Sequence, residues 1–284
     1  MKNYVIKNSK LEVEISTFGA EIQSLKLNGK QKFWTGDEAF WSGKSPVLFP
    51  ICGRLKDGVY YYNGVAYKMP PHGFAKKSEF TVTSAKEDEI TFLLKWNEET
   101  LEVYPFKFEF FITYRIEDST LFVKAEAVNC GEGEMYCSFG SHESYLLEGN
   151  IEDYCLKFEK KENFHSNIVT PAVIICRDFD NFGDNTDLLP LGYYLIKNDT
   201  AVFPNLKSRK FELMKNGEAI ATVNFDASNM LIWTKPNAPF VCIEPWFNLP
   251  DYDDTNCLLT EKPGMVKVEV GKSFISEHKI TYHK

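Results

Sequence analysis

Histidine is scarce in this chain, five residues in 284, and no two of them stand at a metal-ligand spacing. The seven cysteines form an odd set without a single C-x-x-C pair, which excludes a zinc ribbon and argues against a disulfide framework. We read them as reduced thiols, mostly buried. There is no G-x-S-x-G nucleophile elbow, no G-x-x-x-x-G-K-[ST] phosphate loop and no G-x-G-x-x-G after a strand, so the sequence carries no sign of a cofactor or a metal. No stretch approaches the roughly 20 apolar residues of a membrane span, and the first residues alternate polar and apolar instead of forming a leader's apolar core. A cytoplasmic protein is expected. A basic block is missing too: the formal charge is -8 and the pI near 5.3, from acids scattered along the chain, which disfavours nucleic acid and anionic membrane as partners.

What the chain does have is period-two alternation, in runs such as LEVEIST, FKFEFFITYRI, AIATVNF and FVCIEPW. That spacing puts apolar side chains on one face of a strand. Asn-Gly pairs at Asn28-Gly29, Asn63-Gly64 and Asn216-Gly217 lie between such runs, where a two-residue type I′ hairpin needs two residues that accept positive φ. At 44% hydrophobic and 15% aromatic residues there is material for a large core. Sustained helical periodicity is absent, with EDSTLFV and SFISEHK readable as single turns at most. The pattern predicts an all-β fold, a large antiparallel β-sandwich, in a single domain over residues 1–284. Residues 164–194, rich in Asn, Asp, Gly and Pro, are expected to wander over the surface or the mouth of a site.

Three short motifs place one titratable group each among prolines, glycines or aromatics: PPHGFA with His72, FGSHESY with His142, and CIEPW with Glu244. A histidine titrates near neutrality, and a carboxylate beside Pro245 and Trp246 loses hydration and gains basicity, so the set is suited to proton transfer. Taken alone, His72 in its turn reads first as a hydrogen-bonded structural residue, and His142 is equally readable as a satisfied core histidine. Glu244, inside a strongly apolar strand pattern, requires a partner or a function, because an unpaired buried carboxylate costs several kcal/mol. Arg54 in FPICGRL is the candidate ion-pair partner for it, or else a donor to a ligand's oxygens. The tryptophans at 34, 41, 96, 233 and 246 read first as core; Trp233 and Trp246, near Glu244, are candidates for an aromatic wall against a sugar ring. Lys76 and Lys77 read as a solvated turn.

Taken in order, FPICGRL, HGFA, FGSH, NDTAVFPNL and CIEPW-x-x-x-x-D resemble the aldose 1-epimerase (galactose mutarotase-like) family, in particular its LacX-like branch. The resemblance runs from the first strand to the last. It implies a large antiparallel sandwich, the galactose mutarotase-like supersandwich, with a sugar on its concave face and neither metal nor organic cofactor. By motif position Glu244 resembles the base that takes the anomeric hydroxyl's proton, His142 the acid that protonates the ring oxygen, and His72 a second histidine near that oxygen. Arg54 and Asp199 resemble residues that hold sugar hydroxyls, and Lys76 stands where an arginine is usual. The chain departs from the pattern after His142, where Glu143, Ser144 and Leu147 replace other residue types, and at Asn248, where glycine is usual. These changes are expected at the substrate-binding rim.

The leading expectation is an aldose 1-epimerase that interconverts the α and β anomers of a hexose or related sugar. The alternatives are a hexose-6-phosphate mutarotase, with Arg54, Lys56, Lys76 or Lys77 on the phosphate, and a carbohydrate-binding protein that keeps the cleft without catalysis. The sugar and the oligomeric state are not legible.

Overall fold

The computed structural model describes residues 1–283. Its spine is a hairpin of two ten-residue strands, Phe108–Glu117 and Thr120–Asn129, paired from Glu117 opposite Thr120 to Phe108 opposite Asn129. In the first strand the side chains alternate between buried and half-buried positions up to the exposed Glu117, as the spacing of FEFFITYRI dictates. Ser273–Tyr282 pairs along the other edge of Thr120–Asn129, and further antiparallel neighbours extend this into a nine-stranded sheet. A six-stranded sheet packs against it, in the order Ser144–Leu146, Phe240–Trp246, Asn229–Trp233, Ala201–Phe203, His165–Val169, Ile175–Asn181. A four-stranded sheet from residues 3–31 and two short hairpin-like pairs complete the antiparallel fold. This is the architecture that the alternation predicts.

Phenylalanines from the inner faces fill the core. Phe49 stacks on Phe110 at 4.0 Å between ring centroids, and Phe139 on Phe274 at 4.3 Å. Such pairs add about 0.5–1.5 kcal/mol each beyond the area they bury. The three Asn-Gly turns form where expected, with φ near +50° at each Asn and near +80° at each Gly.

Three local readings need correction. SFISEHK lies wholly within the strand Ser273–Tyr282, because its bonds to Thr120–Asn129 override the weak turn signal of Ser and Lys. A helix does occur, at Glu98–Val103, but it is six residues long, too short to register as a period, and is started by Asn97, whose side chain accepts from the Thr100 N–H at 2.8 Å. Residues 164–194 hold three strands, His165–Val169, Ile175–Asn181 and Thr186–Pro190, that extend the two large sheets; Val169 and Val173 line the cleft, as the expected approach to a site requires.

Isolated bridges bring the sequence motifs together: Leu48 with Gly140, Gly140 with Trp246, and Phe49 with Gly73. Gly73 is required by that last contact, with a ligand playing no part in it. Its φ is +72°, and a β-carbon there would stand 2.0 Å from the Phe49 carbonyl oxygen. Gly73→Ala should therefore lose at least the roughly 1–3 kcal/mol of a strained backbone site, read from urea unfolding. Gly133→Ala, with nothing within 4 Å of the added carbon, should stay within about 0.5 kcal/mol of the parent. Equal stability of the two variants would contradict this packing.

Candidate active site

Every residue of Phe240–Trp246 is buried. Cys242, Glu244 and Trp246 share one face of that strand by alternation, and cross-strand pairing continues the face outward: Glu244 is opposite Leu231, and Leu231 is opposite Val202. The face is the floor of a cleft. Residues 139–146 run along the same strand, tied by Ser141 N–H to the Pro245 carbonyl at 3.1 Å and by the Trp246 indole N–H to the Ser141 carbonyl at 2.9 Å. This holds the next residue, His142, with its Nε2 at 3.4 Å from Glu244 Oε2. Trp41 stacks on the His142 ring at 5.3 Å and 22°.

His72 enters from a turn with φ +65°. Its backbone N–H donates to the Gly53 carbonyl at 2.8 Å, and the Gly53 N–H donates to His72 Nδ1 at 3.2 Å. An accepting Nδ1 assigns the proton of the neutral ring to Nε2, leaving that nitrogen as a donor. The His72 ring meets His142 and Trp246 edge-on at 5.6 and 5.3 Å.

Around these groups lies a cleft open to solvent, with about 770 Å³ of free space counted out to its mouth. Arg54 and Asp199 line it, both exposed, and so do Trp233 and Trp246. Lys76 does not line it; it lies half-buried beside the cleft, its ammonium disfavoured first by burial and then by Lys77 and Arg54. The titratable group beside Glu244 is His142 and not Arg54, which leaves that arginine its second reading, a donor to a ligand's oxygens. Sequence reasoning missed Trp41, taken as core, and the apolar wall of Val169, Val173, Val202 and Leu231. Cross-strand register would have found Val202 and Leu231 once Glu244 was placed; Trp41, in a loop, leaves no periodic signal.

The electrostatics follow from dryness. Burial pushes the Glu244 carboxyl well above the usual carboxylate range, and the nearby Glu143 carboxylate pushes it further. Burial also lowers His142, to about 4, with Lys76 adding to the effect. His72 is lowered as well, by burial first and then by His142, Lys76 and Arg54. Glu244 Oε2 and His142 Nδ1 are buried without a hydrogen-bond partner. Dryness thus disfavours the Glu244 carboxylate and the His142 imidazolium alike.

Most of the departures from the family pattern are not at the rim. Asn248 is fully buried: its side chain accepts from the Cys52 N–H and donates to the Cys52 and Leu249 carbonyls, each at 2.8 Å, which ties FPICGRL to CIEPW. Leu147 is core, and the Ser144 hydroxyl donates to the Lys44 carbonyl. Glu143 points away from the cleft and pairs with His278.

Folding also creates one cluster that spacing could not reveal. Donor atoms of His142, Cys242 and Glu244 lie within 4.8 Å of one another. A zinc-ligating histidine normally donates its other ring nitrogen to a carboxylate or carbonyl, and here Nδ1 meets nothing. Cys242 is buried, and its thiol is pushed up by burial and by Glu244 and Glu143, which opposes the thiolate a metal needs. The cluster does not fit a structural zinc. Chelator treatment should leave the melting temperature unchanged; a fall with EDTA that zinc reverses would contradict this assignment.

Comparison with known proteins agrees with this geometry. The model of the family described as aldose 1-epimerase matches residues 2–265. Protein LacX of Lactococcus lactis subsp. lactis, in its plasmid and chromosomal forms, is 30% identical over 282 residues, covering 93% of either chain. A galactose mutarotase related enzyme from Lactobacillus acidophilus superposes with a TM-score of 0.90 at 33% identity, covering 100% of this chain and 98% of that one. A galactose mutarotase-like protein from Lactobacillus casei gives 0.91 at 26% identity, covering 99% and 100%. The chain belongs to the aldose 1-epimerase family.

Proposed function

We propose that this protein is an aldose 1-epimerase that opens and recloses the ring of a hexose or related sugar, with Glu244 and His142 as base and acid. The observation that carries the reading is a buried carboxylate and imidazole 3.4 Å apart, each with an unpartnered polar atom, on the floor of an aromatic-walled cleft. Ring opening removes a proton from the anomeric hydroxyl and adds one to the ring oxygen as the C1–O5 bond breaks. Glu244 takes the first and His142 supplies the second, while the His72 Nε2–H donates a hydrogen bond near the ring oxygen. Rotation about C1–C2 of the open aldehyde and reversal of both transfers give the other anomer. Net proton change is zero.

The productive state holds one proton on the pair. Burial favours its neutral form, and a bound sugar, whose hydroxyls offer donors to the carboxylate, favours Glu244 ionised with His142 protonated. Arg54 and Asp199, which line the cleft, would hold hydroxyls, and Trp233 and Trp246 would face the ring. Lys76 acts from beside the cleft through its charge. Among the described residues one lining cation, Arg54, stands with the carboxyl groups Asp199 and Glu244, and Lys56 donates to the Asp253 carbonyl at 2.6 Å. That balance favours a neutral sugar over a sugar phosphate. The reading treats residues 1–284 as one working unit, because the cleft draws on residues from Trp41 to Pro250.

Two outcomes are expected. Glu244→Gln and His142→Asn should each lower kcat by roughly 10²–10⁴ with sugar affinity within a few fold, and the double variant should fall well short of the product of the single losses. The rate should be bell-shaped in pH. A second proton enters the pair as His142 titrates near 4, which sets the acid limb, and loss of the last proton from a carboxyl held well above its usual range sets the alkaline limb. A rate flat in pH, or full activity in soluble Glu244→Gln, would remove Glu244 from the chemistry.

A further inference from the structure

Directly behind the cleft lies a second acid–imidazole pair that the proposed reaction does not use. Glu143 Oε1 is 2.7 Å from His278 Nε2, from the strand Ser273–Tyr282, and both side chains are largely removed from solvent. Glu143 follows His142 in the chain, and its carbonyl accepts from the Ile243 N–H at 3.3 Å, one residue before Glu244. One pocket is lined by His142, Glu143 and His278 together, so this pair and the acid in the cleft border the same space. Around Glu143 stand Ser141, Tyr114, Tyr145, Tyr282 and Cys242; around His278 stand Asp226 and Glu277. Among these groups, His278 is the one that can carry positive charge. Lys76 and Arg54 act from the cleft side, on the histidines there.

We propose that Glu143, kept ionised by His278, is a positioning residue whose buried negative charge sets how tightly the Glu244–His142 pair holds its proton. The proposal rests on the acid/base reading of that pair. A negative charge fixed in a dry interior favours protonation of both partners, and in this low-dielectric setting it is felt beyond hydrogen-bond range. The directions agree: His278 is raised by Glu143 against the opposing effect of its burial, Glu143 is lowered by His278, and Glu143 raises both His142 and Glu244.

Glu143→Gln keeps the shape and removes the charge. With the side-chain carboxyl carbon of Glu244 and the ring nitrogens of His278 isotopically labelled, NMR titration of the variant should move both groups to lower pH. Both limbs of the rate profile should shift to lower pH with it, while KM stays within a few fold. Limbs and titrations left at the parent positions, with only kcat or stability reduced, would overturn the proposal, since a purely structural role predicts that result. Should Glu143→Gln not fold, the parent protein still decides the matter: the Glu244 resonance must respond as His278 titrates, and a His278 that is neutral throughout, or a silent Glu244, overturns it. These titrations need no turnover. Coupled resonances in a protein that does not interconvert anomers would sink the reaction assigned to the cleft and leave this electrostatic link standing.

Discussion

A carboxylate buried without a cation is the constraint on which the rest of this structure depends. Glu244 occupies the middle of a strand in which every residue is buried, and its nearest titratable partner is an imidazole that burial also discharges. In such a place a carboxyl group either costs several kcal/mol or keeps its proton. Burial favours the second course, and a carboxyl group whose hold on its proton is tightened by dryness will yield that proton more readily once a ligand's hydroxyls donate to it. The cleft is built to make that exchange possible.

Its precision comes from backbone bonds made by residues with no part in proton transfer. The Asn248 amide fastens the Cys52 backbone, the Trp246 indole fastens Ser141, and the mutual Gly53–His72 contacts fix the tautomer of His72. Each joins segments some 50 or more residues apart or holds a strained turn, so the site is set by tertiary contacts and could not form from any motif alone. Trp41 then closes over His142 from a loop, supplying an apolar face where a lysine or aspartate would have shifted its titration.

The fold was legible because strands and hairpins are local: alternation in FEFFITYRI and three Asn-Gly turns are written in adjacent residues. The approximate membership of the site was legible for a different reason. His72, His142 and Glu244 stand out as charges in apolar or rigid settings, which a sequence pays for only with a reason. What was not legible depends on register and depth. Whether Arg54 or His142 pairs with Glu244, whether Asn248 sits at the rim or in the core, and which way Glu143 points are decided by strand pairing between distant segments. Lys76, read as part of a solvated turn, is half-buried for the same reason, and the Cys242 cluster has no spacing in sequence at all.

The central claim is that a shared proton on Glu244 and His142 opens and recloses a sugar ring. Saturation-transfer NMR of the anomeric protons, across a panel of free aldoses and their 6-phosphates, measures that exchange directly. The account predicts catalysed transfer between α and β resonances for at least one neutral aldose, and weaker transfer for its 6-phosphate. Sugar binding without any acceleration of exchange over buffer, for every member of the panel, would contradict it.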